Sequence, residues 1–134
     1  ITALEIVKST DACQQAIRYG QGLQDALNDL FKEEGISWIS YGTFGGFHVF
    51  LNPEQIDTTP EEIESTQFDY GTLRGAVSGS LVMKLRVGLL LHGVDIQPWP
   101  GGVVSATHTD EDRARTVDAF RQTIGMLKEE GGLS

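Results

Sequence analysis

The sequence predicts an α+β domain in which helices cover one face of a small, mainly antiparallel sheet. Three stretches carry that reading. Residues 11–34 place Ala12, Ala16, Gly20, Leu23, Leu27, Leu30 and Phe31 at three- and four-residue spacing, the signature of a long amphipathic helix. Residues 36–41 and 47–51 are short, β-branched or aromatic, and separated by Gly42-Thr43-Phe44-Gly45-Gly46, as in a hairpin with a glycine-rich connection. From Lys84 to Asp112 the pattern runs helix, strand, proline-containing turn, strand and capped helix without pause.

Taken in order, Ile1 to Lys8 is apolar with one acid, and the chain reads as opening within a helix rather than on a signal peptide. Thr10 is the expected N-cap of the first long helix. Gly35 is its expected stop, because glycine accepts the left-handed closing conformation. Asn52 to Gln67 carries Pro53, Pro60 and five acids, which predicts a surface excursion with one short helix after Thr59-Pro60. Helical periodicity resumes at Tyr70, with Leu73, Val77, Leu81, Leu85, Gly88 and Leu91 to His92 as the buried stripe and Gly93 as terminator. Gly75, Gly79 and Gly88 each cost about 1 kcal/mol relative to alanine inside a helix, so the stretch is expected to break or to pack closely, with a start as late as Gly79.

Val94 to Ile96 and Val103 to Ala106 are predicted strands around Gln97-Pro98-Trp99-Pro100-Gly101-Gly102, where two prolines exclude helix. Thr109-Asp110-Glu111-Asp112 opens the last helix with three acids near its positive end and Asp112 at the capping-box position. Val117, Phe120, Ile124 and Leu127 form its buried face, and Lys128 precedes Gly131-Gly132.

At 134 residues and 40% hydrophobic content, residues 1–134 fit one domain. A net charge of −9, with ten Lys and Arg spread along the chain, disfavours binding to nucleic acid or to an anionic membrane. The longest apolar run, Val87 to Leu91, falls far short of the roughly 20 residues a bilayer span requires. Cys13 stands alone, which suits a reducing compartment, and the expected location is the cytoplasm.

The residues that could carry chemistry also have plain structural roles. Gly42 to Gly46 lacks the Lys-Ser/Thr ending and following helix of a phosphate loop, so a hairpin connection is preferred over an anion cradle. His48, His92 and His108 show no metal-ligand spacing. Ser105 and His108 do not stand in a nucleophile elbow, and His108 is expected to close a turn. Asp110, Glu111 and Asp112 suit capping rather than acid–base work. Trp99, held between prolines, is either a core plug or an exposed contact for a ligand or neighbouring domain.

The segments Tyr41-Gly42-Thr43-Phe44-Gly45-Gly46-Phe47-His48-Val49-Phe50 and Leu90 to Thr109, with Asp110-Glu111-Asp112 and the terminal helix, resemble one known domain. It is the C-terminal small domain of class III, fold-type I, pyridoxal-phosphate (PLP) aminotransferases, nearest to glutamate-1-semialdehyde 2,1-aminomutase and its relatives. The resemblance implies PLP chemistry on a small amino-acid or amino-aldehyde substrate, with the cofactor and its lysine in a preceding large domain outside residues 1–134. None of Lys8, Lys32, Lys84 and Lys128 stands in the family's cofactor-lysine context, so no catalytic or cofactor-binding residue is assigned. In some members a charged residue on the turn between the last strands recognises substrate. Here the turn is Trp99-Pro100-Gly101-Gly102, which makes Trp99, Pro100 and Gly101 the substrate-contact candidates and suits a less polar or aromatic substrate.

The resemblance also implies a homodimeric enzyme in which this domain closes over substrate and is inactive alone. The first helix, or the face around Phe44 and Trp99, would then expose an apolar patch larger than a monomer carries. The alternative is a free-standing α+β ligand-binding or interaction module without catalysis, a distinction that fold alone does not make.

Overall fold

A computed structural model describes residues 1–65, 67–76 and 79–133. Helices α1 (Thr2–Ser9) and α2 (Ala12–Glu33) lead into strands β1 (Ile39–Tyr41) and β2 (Gly46–Phe50). Three helices follow, α3 (Pro60–Glu64), α4 (Tyr70–Gly75) and α5 (Ser80–Leu91), then strand β3 (Gly101–Val103) and helix α6 (Asp110–Glu129). The three strands form one antiparallel sheet in the order β1-β2-β3.

Alternation along β2 divides the apolar residues between two faces. Phe47, Val49 and Leu51 enter the main core with Leu23, Leu27, Leu30 and Phe31 of α2, Leu85 and Leu89 of α5, and Phe120, Ile124 and Leu127 of α6. Phe31 sits edge-on to both Trp38 and Phe120, at centroid distances of 5.6 and 6.0 Å. On the other face, Phe50 joins Tyr41, Ile63 and Ala76 in a smaller cluster with Ile56, Phe68 and Leu73 packed against it, so α3 and α4 cover part of that face too.

The edge strand β1 is closed by a side chain. Asn28 of α2 donates Nδ2–H to the Ser40 carbonyl (2.9 Å) and accepts the Ser40 N–H on Oδ1 (2.7 Å), standing in for a fourth strand. Asn52 does similar work in the excursion. In the left-handed region (φ +43°), it donates to the carbonyls of Ser37 and Ile56 and accepts the Ile56 N–H at 2.8 Å. It is 2% exposed, so the excursion begins in the interior and not on the surface.

The expected strands 36–41 and 94–96 are corrected by helix closure. Gly35 (φ +66°) ends α2 as expected, but the Ile36 N–H then reaches back to the Phe31 carbonyl (3.0 Å), and the Ser37 carbonyl takes Asn52. Only Ile39–Tyr41 remains free to pair. Gly93 (φ +83°) ends α5 in the same way, with Val94 N–H on the Leu89 carbonyl (2.9 Å), while the Ile96 carbonyl accepts Arg86 Nε, and no strand forms at 94–96. The expected strand 103–106 shifts to Gly101–Val103 and pairs with β2 instead.

Thr10 is not the N-cap of α2. It ends α1, its hydroxyl donating to the Ile6 carbonyl, and Asp11 takes the cap position. The glycine-rich helical stretch breaks between α4 and α5, and Gly79 (φ +134°) is the N-cap of α5. Val77 of the expected stripe lies outside the described residues. Val82, Leu85, Gly88 and Leu89 are buried, whereas Leu91 and His92 are exposed. Gly88 lets α5 approach α6, since a Cβ there would lie 3.0 Å from Thr123 Oγ1 and closer still to its Cγ2. Thr109 and Asp112 complete the expected capping box of α6, with Asp112 Oδ2 accepting both the N–H and the hydroxyl of Thr109 at 2.8 Å.

Candidate functional site

The turn before β3 is anchored from below. The Gln97 N–H bonds to the Gly101 carbonyl (2.9 Å), and the Pro100 carbonyl accepts the Val49 N–H (2.7 Å). Pro100 is fully buried and Gly101 is buried within β3 at φ +154°. A Cβ on Gly101 would collide with the Phe47 carbonyl oxygen and lie 2.8 Å from His48 Cα, so only glycine brings the strands this close.

Trp99 stands half-buried above this base. Its indole N–H donates to the Tyr41 hydroxyl (3.4 Å), and its ring stacks on Tyr70 at 6.2 Å and 22°. Of the three substrate-contact candidates, Trp99 therefore presents a partly free side chain, while Pro100 and Gly101 hold the turn in place. Tyr41 and His48 are register partners across β1 and β2, and their rings lie 5.5 Å apart. The result is an aromatic wall of Tyr41, His48, Trp99 and Tyr70 along one face of the sheet.

Beside that wall, Tyr41, Gly42, Thr43, Gly46, His48 and Glu64 enclose a cleft of about 260 Å³. The Glu64 carboxylate accepts the Gly42 N–H (2.7 Å). Burial raises the Tyr41 pKa; the Trp99 hydrogen bond partly offsets this, and the Glu64 charge adds to the rise. Burial lowers the His48 pKa, and His48 Nδ1 is buried without a hydrogen-bond partner. Tyr41, Glu64 and Tyr70 were not singled out as site residues from the sequence, and His48 was considered only as a metal ligand. The available signal was parity, since His48 alternates with the core residues Phe47 and Val49 and so must face away from α2.

The Gly42–Gly46 connection is a hairpin turn, and several of its polar groups are engaged internally. Gln24 Nε2 donates to the Gly42 and Gly46 carbonyls (both 3.1 Å), and the Gly46 N–H bonds to the Thr43 carbonyl. At its tip Phe44 adopts φ +58° and is 76% exposed. His108 closes its turn, with Nδ1 accepting the Ser105 N–H (2.9 Å) and the ring against Tyr19. Ser105 Oγ lies 3.2 Å from His108 Nδ1 but also 2.8 Å from Thr107 Oγ1, the geometry of a loop-closing cluster. Hydrogen bonds from Thr109 hold the Asp112 carboxyl below its usual range. Among the described residues no group of three His, Cys, Asp or Glu is placed to hold a metal ion, and no helix is long and apolar enough to cross a membrane.

The lysines do not converge on the cleft. Lys84 pairs with Glu130 (2.8 Å), Lys128 pairs with Glu34 (2.7 Å), and Lys8 and Lys32 are exposed.

No family model matches the chain. Its fold, however, matches solved PLP-dependent transaminases. A structure described as a transaminase with PLP bound superposes with a TM-score of 0.66 at 21% identity, over 90% of this chain and 24% of that one. The FumI protein of Sphingopyxis sp. MTA144, in a PLP form, gives 0.67 at 18% identity over 98% of this chain and 27% of its own. A β-phenylalanine aminotransferase from Variovorax paradoxus gives 0.58 at 25% identity over 84% and 24%. The chain thus spans about a quarter of the length of the transaminases it matches, and its α+β fold is the fold of a segment of those enzymes.

Proposed function

We propose that residues 1–134 are the C-terminal small domain of a class III, fold-type I PLP-dependent aminotransferase or aminomutase, of the glutamate-1-semialdehyde 2,1-aminomutase type. The observation that carries this reading is the fit of nearly the whole chain onto a quarter of several transaminases. In this reading the domain closes over a small amino-acid or amino-aldehyde substrate, supports a cytoplasmic homodimer, and has no activity by itself.

When bound, PLP supplies an electron sink for the carbanion formed at the substrate amine carbon. The four lysines of this chain do not fit its attachment, because two are ion-paired on the surface and two are exposed on helices. In this reading the cofactor is held by a preceding large domain. What this chain contributes is shape. Trp99, wedged between Tyr41 and Tyr70 on a base of Pro100 and Gly101, offers an apolar edge to a substrate side chain. Exposed apolar residues of α1 (Leu4, Val7), its N-cap Ile1 and the Phe44 tip offer contact to the large domain.

The test uses the full-length protein encoded by the reading frame upstream of Ile1, which should add a lysine-bearing domain of roughly 300 residues. In that enzyme Trp99→Ala should shift the ratio of kcat/KM for aromatic against small aliphatic amino substrates by about tenfold. An unaltered ratio would sink the assignment of Trp99. A start codon adjacent to Ile1, or a visible absorption band on adding PLP to residues 1–134 alone, would overturn the division of labour.

A further inference from the structure

We propose that the cleft between the β1–β2 hairpin and α3 is a binding site for a small organic cation, with a primary alkylammonium as the chemistry it fits. The inference uses residues of this chain alone and does not rest on the transaminase reading.

The first argument is charge. Glu64 commits one carboxylate oxygen to the Gly42 N–H, and among the described residues no Lys, Arg or His forms an ion pair with it. Its field nevertheless reaches the cleft, since it contributes to the rise in the Tyr41 pKa. A carboxylate left without a counter-charge beside a concave surface attracts cations. The second argument is the wall. The Tyr41 and His48 rings, inclined at 37°, line the cleft, and aromatic π-faces attract ammonium groups at close range. Burial favours the neutral imidazole, so His48 adds a lone pair and a ring but no opposing positive charge.

The other ligand classes fail on the same residues. A metal ion would meet a single carboxylate, and no cluster of three ligands exists among the described residues. An anion would meet the like charge of Glu64, and the Gly42 and Gly46 N–H groups already bond to Glu64 and to the Thr43 carbonyl. A short alkylammonium satisfies both halves of the site, placing its ammonium at the Glu64 carboxylate and its chain against the two rings.

The probe is n-butylammonium chloride, titrated into the ¹⁵N-labelled chain, with sodium chloride at matched ionic strength and n-butanol as controls. Saturable amide shifts at Gly42, Thr43 and Gly46 in the millimolar range are expected with butylammonium only. Glu64→Gln keeps an acceptor for the Gly42 N–H but removes the charge, and should weaken binding about fivefold, the equivalent of about 1 kcal/mol. Glu61→Gln makes the same charge change on the exposed side of α3, outside the cleft, and should leave binding unchanged. Equal weakening by the two variants, equal shifts with butanol, or shifts spread over the acidic surface would each overturn the site.

Discussion

Gly101→Ala is the substitution that most directly tests how the Trp99 turn is held. A Cβ at Gly101 meets the Phe47 carbonyl oxygen inside contact distance, with His48 Cα at 2.8 Å and His48 Nδ1 at 2.9 Å. Two of these neighbours are backbone in the adjacent strand, so relief requires β3 to move away from β2. Overpacking of this kind costs about 1–3 kcal/mol, and the φ of +154° adds about 1–2 kcal/mol of strain for an alanine. A loss near 3 kcal/mol is a large part of the roughly 5–15 kcal/mol that holds a domain of this size. At a urea m-value of about 2 kcal/mol/M, it lowers the denaturation midpoint by about 1.5 M. Gly102→Ala is the control. Its Cβ meets only Phe47 Cε1 at 3.3 Å, a ring edge that can shift, and removing a strand glycine recovers about 0.5–1 kcal/mol. Its midpoint should stay within about 0.5 M of the parent. Urea unfolding followed by tryptophan fluorescence measures both variants, and Trp99 reports on the turn itself. Equal midpoints for the two would refute the claim that backbone proximity at Gly101 fixes the turn.

Asn28→Leu keeps the apolar packing of α2 but strips both hydrogen bonds from Ser40, leaving a buried N–H and carbonyl unpaired; a loss of about 2–4 kcal/mol in urea unfolding is expected, and a loss under 0.5 M in midpoint would contradict the edge-closing role. Gly88→Ala should destabilise by about 1–2 kcal/mol despite the helical preference for alanine, and Thr123→Ala in the same chain should restore most of it; additive effects in that double-mutant cycle would show that α5 and α6 can separate freely. His48 has a folded-state pKa below its unfolded value, so the unfolded chain binds more protons between the two. Its contribution is therefore present in full above about pH 6.5 and is lost as pH falls toward the depressed value. An NMR titration of the His48 ring should show a midpoint below 6.5, and His48→Gln should flatten the acid limb of the stability curve; a midpoint at or above 6.5 would refute the burial argument.

Features decided within a few residues were legible in the sequence. The Thr109–Asp112 box, the Thr59-Pro60 helix start and the glycine stops at Gly35 and Gly93 all follow from local chemistry, and each stands where the residues indicated. The candidate site was legible only in part. Two prolines singled out Trp99, but its neighbours Tyr41, His48, Glu64 and Tyr70 come from four separate elements whose pairing depends on tertiary register. Asn28 and Asn52 were likewise silent, because a polar residue that replaces a strand or pins a loop looks like any surface asparagine until its partners are placed.

The two misplaced strands share one physical cause. Each begins with a β-branched residue that follows a glycine, Gly35-Ile36 and Gly93-Val94, immediately after a helix. β-propensity reads Ile36 and Val94 as the first residues of a strand. Hydrogen-bond accounting reads them otherwise: a helix ending on a left-handed glycine directs the next N–H back to the carbonyl five residues earlier, and that residue's side chain folds onto the last turn. Both predictions of that geometry are met, with Ile36 and Val94 bonded to Phe31 and Leu89 and packed against the main core. An N–H spent on closing a helix cannot also enter a ladder, so a strand after such a stop has to begin further on. That displacement leaves room for the side chains that matter at the site. With 94–96 out of the sheet, β3 is the strand beside β2, and its first residue, Gly101, sets Trp99 over Tyr41.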